Sequence, residues 1–383
     1  MPPSECPFSG LQERLIAWRR ALHRRPEVGL ELPKTLAFLE RELGAMGLFP
    51  RRMAGGIVVD VGKAPRRAWR TDMDALPIQE ETGLAFASEI PGAMHACGHD
   101  AHAAIALGIA WTLSRHPEPP AVRFIFQPGE EGRFGARGMI ESGALEGVEA
   151  LCGLHVGCLA EGLPPGHFAI RAGAQMASGD RFRALFRGRG THGAQPQLGR
   201  DPLPAAAAFV GLTQTIRARE VAPGRLALVT VGFFRAGEAD NVVPETAELK
   251  GIVRTEDPGD RALLERRLGE AARGLAQAHG VELEWTWSPG YPAVRNDSAW
   301  VERAEKAVSE LFGAESLLRL ERPVATAEDV AFYLERVPGA YVFLGTNNPG
   351  KGITEPHHSP RFDVDEDQLW KGVALGAELL GRP

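Results

Sequence analysis

Apolar residues in the first fifty positions recur at helical spacing. Leu11, Leu15, Trp18 and Leu22 fall near a 3.6-residue period, and Leu36, Phe38, Leu39 and Leu43 resume it after Pro33. The pattern predicts a helical opening over 10–48 that breaks at Pro33. Short β-branched runs then alternate with helical ones. Strands are expected over 57–61, 68–72, 121–126 and 150–156, and helices over 101–113 and 135–145. Such alternation predicts an α/β layer architecture with a largely parallel sheet.

Near residue 178 the period changes to two. Phe182-Arg183-Ala184-Leu185-Phe186 alternates apolar with polar or small residues, as an amphipathic strand does. A helix over 204–218, strands over 226–233 and 247–254, an amphipathic helix over 261–279 and an alternating run over 281–287 complete a β-α-β-β-α-β order. That order fits a compact α+β module of the ferredoxin-like kind. After Pro289 the α/β signals return, with a helix over 300–311, a strand over 339–344 and a last helix from 366. The reading is a discontinuous main domain, 1–177 and 289–383, with a second module inserted at 178–288.

Composition narrows the class. The chain has 383 residues, 44% of them hydrophobic, so a sizeable core needs no disulfide staples. A net charge of −6 argues against broad binding to nucleic acid or anionic membrane. No apolar run approaches the roughly 18 residues of a membrane helix, and the opening residues lack the layout of a secretory signal. The cysteines Cys6, Cys97, Cys152 and Cys158 match neither a zinc-finger spacing nor a secreted disulfide framework. A reducing, cytoplasmic setting is expected.

Five local clusters carry the chemistry: Arg70-Thr71-Asp72-Met73-Asp74, Met94-His95-Ala96-Cys97-Gly98-His99-Asp100-Ala101-His102, Gln127-Pro128-Gly129-Glu130-Glu131-Gly132, Gly153-Leu154-His155-Val156, and Pro356-His357-His358-Ser359-Pro360. Four fall beyond the carboxyl ends of expected strands, where α/β sheets gather their ligands. Thiolate, imidazole and carboxylate are the usual ligands of zinc and its neighbours. Cys97 and His99 are one glycine apart and could share an ion. Asp100 is expected to cap the following helix, whose dipole would lower the Cys97 pKa. Taken alone, Cys97 and His99 could equally be a nucleophile and its base. Adjacent Glu130 and Glu131 allow one carboxylate to bind metal while the other handles a water's proton, or they could be a solvated helix start. In the inserted module His192 lies on a Gly-rich turn and Asn241 opens a strand, positions that ordinary turns also use.

Together these motifs resemble the aminoacylase/carboxypeptidase G family of dinuclear metallohydrolases. Its branch of hippurate hydrolases, N-acyl-amino-acid amidohydrolases and auxin-conjugate hydrolases is the nearest match. The resemblance runs from Leu22-His23 to His358-Ser359-Pro360 and so covers nearly the whole chain. It implies two divalent metal ions, zinc or manganese first and nickel or cobalt next. Cys97 would bridge them, with His99 and His155 on one ion and Glu131 and His358 on the other. Glu130 would be the general base, and Asp74 would orient a metal-binding histidine, most naturally His99. His357 neighbours a ligand, but the His-Ser-Pro frame points to His358.

By the same resemblance the 178–288 module is a lid that also forms a homodimer. His192 would reach into the partner subunit's site and polarise the scissile carbonyl there, and Asn241 would assist it or hold substrate. Arg254 is a candidate carboxylate anchor or a plain surface arginine. Gln197 stands where many relatives carry a second lid histidine. The implied activity is amide hydrolysis of an N-acyl amino acid or a related small conjugate. A dipeptidase, a carboxypeptidase or an N-acyl-diaminopimelate-type deacylase would use the same site. A non-catalytic metal-binding dimer is the remote alternative.

Overall fold

A computed structural model describes residues 9–381. Cys6 lies outside them. The chain folds as two compact units: Met1–Gly173 with Arg295–Glu321 and Asp329–Pro383, and Ala174–Val294 with Arg322–Glu328. The second unit spans Ala174–Val294 in its main segment. It also takes in a short return segment that no periodicity marks.

The first unit is built on an eight-stranded sheet. At its centre Val122–Gln127, Arg67–Asp72, Ala150–Gly157 and Gly339–Gly345 lie side by side and parallel. Antiparallel pairs flank them: Gly56–Val61 on Val122–Gln127 at one side, Phe168–Ile170 on Gly339–Gly345 at the other. The central strands are buried along most or all of their length, as strands covered on both faces must be. The sheet is thus mixed at its margins and parallel where the site lies. Because these four strands run the same way, their carboxyl ends open on one edge, which gathers Asp72, Gln127 and His155.

The helix His99–Ser114 is buried on nearly every side, matching its apolar sequence all round. It shares one core with Leu11, Leu15 and Trp18 of Ser9–His23 and with Val373 and Leu379 of Leu369–Gly381. The helical opening is two helices, Ser9–His23 and Pro33–Ala45. Pro33 starts the second helix rather than merely breaking the first, because a first-turn residue needs no N–H partner. The helix expected over 135–145 stops earlier, as Gly135–Glu141, with the chain turning at Gly143.

The second unit is a four-stranded antiparallel sheet in the order Ala227–Ala236, Thr246–Thr255, Gly179–Arg187, Glu282–Tyr291. Helices Leu203–Glu220 and Pro258–His279 supply Phe209, Leu264 and Leu268 to a core shared with Phe182 and Phe186 of the strands. This is the ferredoxin-like order. A two-residue ladder, Thr191–His192 against Val242–Val243, stands outside that sheet. Among the described residues no helix is long and apolar enough to cross a membrane.

Candidate metal centre

Cys97 sits in the loop that leads into His99–Ser114, and Gly98 makes its geometry feasible. Gly98 is left-handed, with φ 88°, and a Cβ there would lie 2.6 Å from Val156 Cγ2. Only glycine allows the loop to approach this strand so closely. From the strand, His155 Nε2 comes 3.6 Å from Cys97 Sγ. Near the C-terminus, the His358 N–H donates to the Ala96 carbonyl at 2.8 Å, which ties the His-Ser-Pro turn to the same loop. His358 holds a left-handed backbone, φ 66°, unusual for a residue with a Cβ and typical of functional turns.

The ligand atoms form two triads that share one sulfur. Cys97, His99 and His155 have donor atoms within 4.8 Å of one another, and so do Cys97, Glu131 and His358. His358 Nε2 lies 3.2 Å from Glu131 Oε1. The hydrogen bonds fix which ring nitrogen is bare. His99 Nδ1 donates to the Asp74 carbonyl at 2.9 Å, and His155 Nδ1 donates to the Val156 carbonyl at 2.7 Å. A carbonyl only accepts, so each ring carries its proton on Nδ1 and keeps a lone pair on Nε2. His99 Nε2 is buried with no hydrogen-bond partner among the described residues. An orphaned buried lone pair beside a thiol and a carboxylate fits a cation site. A donor set of sulfur, imidazole and carboxylate suits divalent zinc-like ions.

The Glu130-Glu131 turn is held from below. Asp74 Oδ1 accepts the Glu130 N–H at 2.9 Å and Oδ2 accepts the Glu131 N–H at 3.1 Å. Asp74 also accepts the His99 Nδ1–H, through its main-chain oxygen, while both carboxylate oxygens are engaged by the turn. Asp329 adds a second anchor. It accepts from Arg70 Nη2 at 2.6 Å, from Gln127 Nε2 at 2.8 Å and from the Ala136 N–H at 3.0 Å. Its own N–H lies 3.4 Å from Glu130 Oε1. Glu130 is buried, so its carboxylate is held in a largely dry setting.

Beneath the ligands lies a buried polar floor. His102 Nδ1 donates to Asp72 Oδ1 at 2.6 Å, while its Nε2 accepts the Val156 N–H at 2.9 Å. Both nitrogens are spent, so His102 supports the strand and does not ligate. Burial alone would raise the Asp72 pKa, but His99, His102 and Arg70 hold it well below the usual range. Asp100 does not cap its helix; Gly98 occupies that place. Asp100 accepts instead from Arg19 at 3.1 Å and His23 at 2.7 Å, all three buried. A charge removed from water needs such partners more than a helix needs a cap. The expected lowering of the Cys97 pKa is also reversed. Burial, and then the Glu131 carboxylate, push the thiol up, and a bound cation would pull it back down.

In the second unit, His192 and Asn241 are brought together. His192 pairs with Val242 across the short ladder, and the Gly193 N–H donates to the Asn241 carbonyl at 2.7 Å. Both side chains line an open groove of about 990 Å³ with Arg235, Glu238 and Glu245. The Ala194 N–H donates to His192 Nδ1 at 3.0 Å. His192 therefore carries its proton on Nε2. Arg254, on Thr246–Thr255, is half-buried and gives Nη1 to the Val253 carbonyl at 3.2 Å. Burial lowers its pKa. Gln197 is exposed on a short 3₁₀ turn.

Asp72, His102 and Arg70 lie inside clusters singled out in the sequence, though their spacing gives no roles. Asp329, Arg19 and His23 meet their partners across 57 or more residues of chain, which no local pattern reveals.

A two-unit α/β architecture with two ligand triads on one sulfur fits the class of dinuclear metallohydrolases. The sequence profile of Peptidase family M20/M25/M40 matches residues 68–382, and the chain belongs to that family. An N-acetylcysteine deacetylase of Bacillus subtilis is 37% identical, covering 96% of each chain. An IAA-amino acid hydrolase of Arabidopsis thaliana is also 37% identical, over 96% of this chain and 86% of its own. A thermostable carboxypeptidase of Saccharolobus solfataricus is 34% identical, over 97% and 95%. Among solved structures, a Bacillus subtilis dinuclear metal-binding peptidase of family M20 superposes with a TM-score of 0.83. It is 34% identical and covers 97% of this chain and 98% of its own.

Proposed function

We propose that this chain is a metal-dependent amidohydrolase that cleaves the amide bond of N-acyl amino acids or similar small conjugates. One observation carries the reading: a single buried thiol, Cys97, belongs to two complete ligand triads, with the Glu130 carboxyl on the turn beside them. His99 and His155 would hold one divalent ion, and Glu131 and His358 the other. When bound, such ions supply Lewis acidity, which acidifies a water and polarises a carbonyl. Zinc fits the sulfur and nitrogen donors best; manganese is next, with nickel or cobalt also compatible.

The protein's own groups supply the rest. Glu130 accepts a proton from the attacking water and passes it to the leaving nitrogen, a role that fits a buried carboxylate on a fixed turn. Asp74 holds that turn and, through its carbonyl, aims His99. His192, bearing hydrogen on Nε2, donates to the carbonyl oxygen as negative charge develops there. Asn241 beside it contacts substrate, and Arg254, its charge disfavoured by burial, anchors the substrate carboxylate. The 178–288 module would act as a lid and as the contact of a homodimer, in a cytoplasmic enzyme.

The test is hydrolysis of a panel of N-acyl amino acids and dipeptides with zinc or manganese added and with chelator. Metal-dependent release of free amino acid from the N-acyl substrates is expected. The variant Glu130→Ala should keep its metal and lose at least ~10² in kcat. Near-normal turnover in that variant would remove Glu130 from the role of base.

A further inference from the structure

Four imidazoles come close to the Cys97 sulfur, and three of them, on His99, His155 and His357, are not alike. His155 faces it with a bare Nε2 at 3.6 Å, and His99 likewise keeps its Nε2 bare. His357 is built the other way round. Its Nε2 lies 3.2 Å from the Cys158 backbone nitrogen and accepts that N–H. A backbone N–H can only donate, so His357 Nε2 holds a lone pair and the ring proton is on Nδ1. That Nδ1 lies 3.8 Å from Cys97 Sγ, within the reach of a hydrogen bond to sulfur.

The ring is locked in this orientation. Gly157, with φ +115°, leaves the space that the ring fills; a Cβ there would lie 2.1 Å from His357 Nε2. Phe362 lies against the ring with centroids 4.8 Å apart, and His155 meets it edge-on at 5.1 Å. A ring flip would turn ring carbons toward Cys158 and the sulfur, and the other tautomer would set two donors face to face at Cys158 and two acceptors at the sulfur.

We propose that His357 is a positioning residue that donates its Nδ1–H to the Cys97 thiolate, drawing electron density from the sulfur that both cations share. It is not a ligand, since its free lone pair points at Cys158. A thiolate relieved of charge in this way gives less to each cation, which leaves the cations stronger Lewis acids and steadies the sulfur as thiolate. The sequence places His357 one residue from a ligand but gives no hint of this role. The inference rests on the dinuclear reading above.

Substitution of cobalt(II) tests it, since charge transfer from thiolate to cobalt reports the electron richness of the sulfur directly. His357→Gln puts its amide near the old Nε2 position, satisfying Cys158 while giving nothing to the sulfur. His357→Asn can place an amide N–H near the old Nδ1. The expected result is a thiolate band shifted to longer wavelength in the Gln variant and held near its wild-type position in the Asn variant. Two cobalt ions per chain should remain in both. If the Gln variant does not fold, His357→Phe, which fills the ring volume without a donor, carries the same expected shift. An unmoved band in the Gln or Phe variant would overturn the proposal. So would equal shifts in Gln and Asn, or the loss of one cobalt, which would make His357 a ligand. A wild-type protein with no thiolate–cobalt band at all would instead refute the metal reading beneath it.

Discussion

His155 and His192 show two ways of preparing the same side chain. His155 is buried at the end of a central strand and spends Nδ1–H on a backbone carbonyl, leaving Nε2 bare. His192 is exposed on a two-residue strand and accepts a backbone N–H at Nδ1, leaving a hydrogen on Nε2. In the proposed function, one tautomer would offer a lone pair to a cation and the other a proton to an oxygen. One is fixed by a packed sheet and the other by a local turn. The first unit thus sets its histidine in a buried strand, and the second sets its histidine on a feature that contributes little to its core.

That contrast predicts different failures. His155→Ala should be the more damaging change. It would remove a proposed ligand and hollow the buried site, so metal content should drop, thermal stability should fall and kcat should decline by ~10³ or more. His192→Ala should lower kcat by ~10² while metal content and melting temperature stay at wild-type values. A variant at His192 that lost metal, or one at His155 that kept both ions, would erase the distinction between the two histidines.

A smaller effect concerns the charges beneath the first unit's ligands. Burial would lower the His23 pKa, but Asp100 and Glu80 outweigh it and lift it to about 9. The native state therefore holds this proton more tightly than the unfolded chain, where His titrates near 6.5. The stabilisation is fully present below pH ~6.5 and is lost as pH rises through about 9, a swing of about 3 kcal/mol. Denaturant unfolding of the metal-free protein across that range should show the decline, and His23→Gln should flatten it. An equal slope in the two proteins would place the pH dependence in other groups. The second unit has no counterpart of this buried triad among the described residues, so its exposed ion pairs, such as Arg187 with Glu284, should add little.

Much of this is legible in the sequence. The period change near 178 marks the inserted unit, and the β-branched runs mark the central strands, because both elements are long enough to show a repeat. Arg51–Met53, Phe168–Ile170 and Leu317–Arg319 are three residues each, too short for any period, and they form the sheet's margins. The five site residues that meet around Cys97 are legible because each sits in a compact motif of unusual residue types. What those motifs do not show is which atom of a residue acts. Asp74 works through its carbonyl as well as its carboxylate, and Asp100 turns to Arg19 and His23 rather than to its own helix. The pKa of Cys97 rises because burial and then Glu131 outweigh the pull of His99. Each of these outcomes depends on a partner brought from elsewhere in the fold.

The central claim is that one sulfur is shared by two ions. Anomalous scattering at the zinc edge, from crystals grown with zinc, tests it most directly. Two peaks should flank Cys97 Sγ, one beside His99 and His155 and the other beside Glu131 and His358. A single peak, or density away from that sulfur, would contradict it.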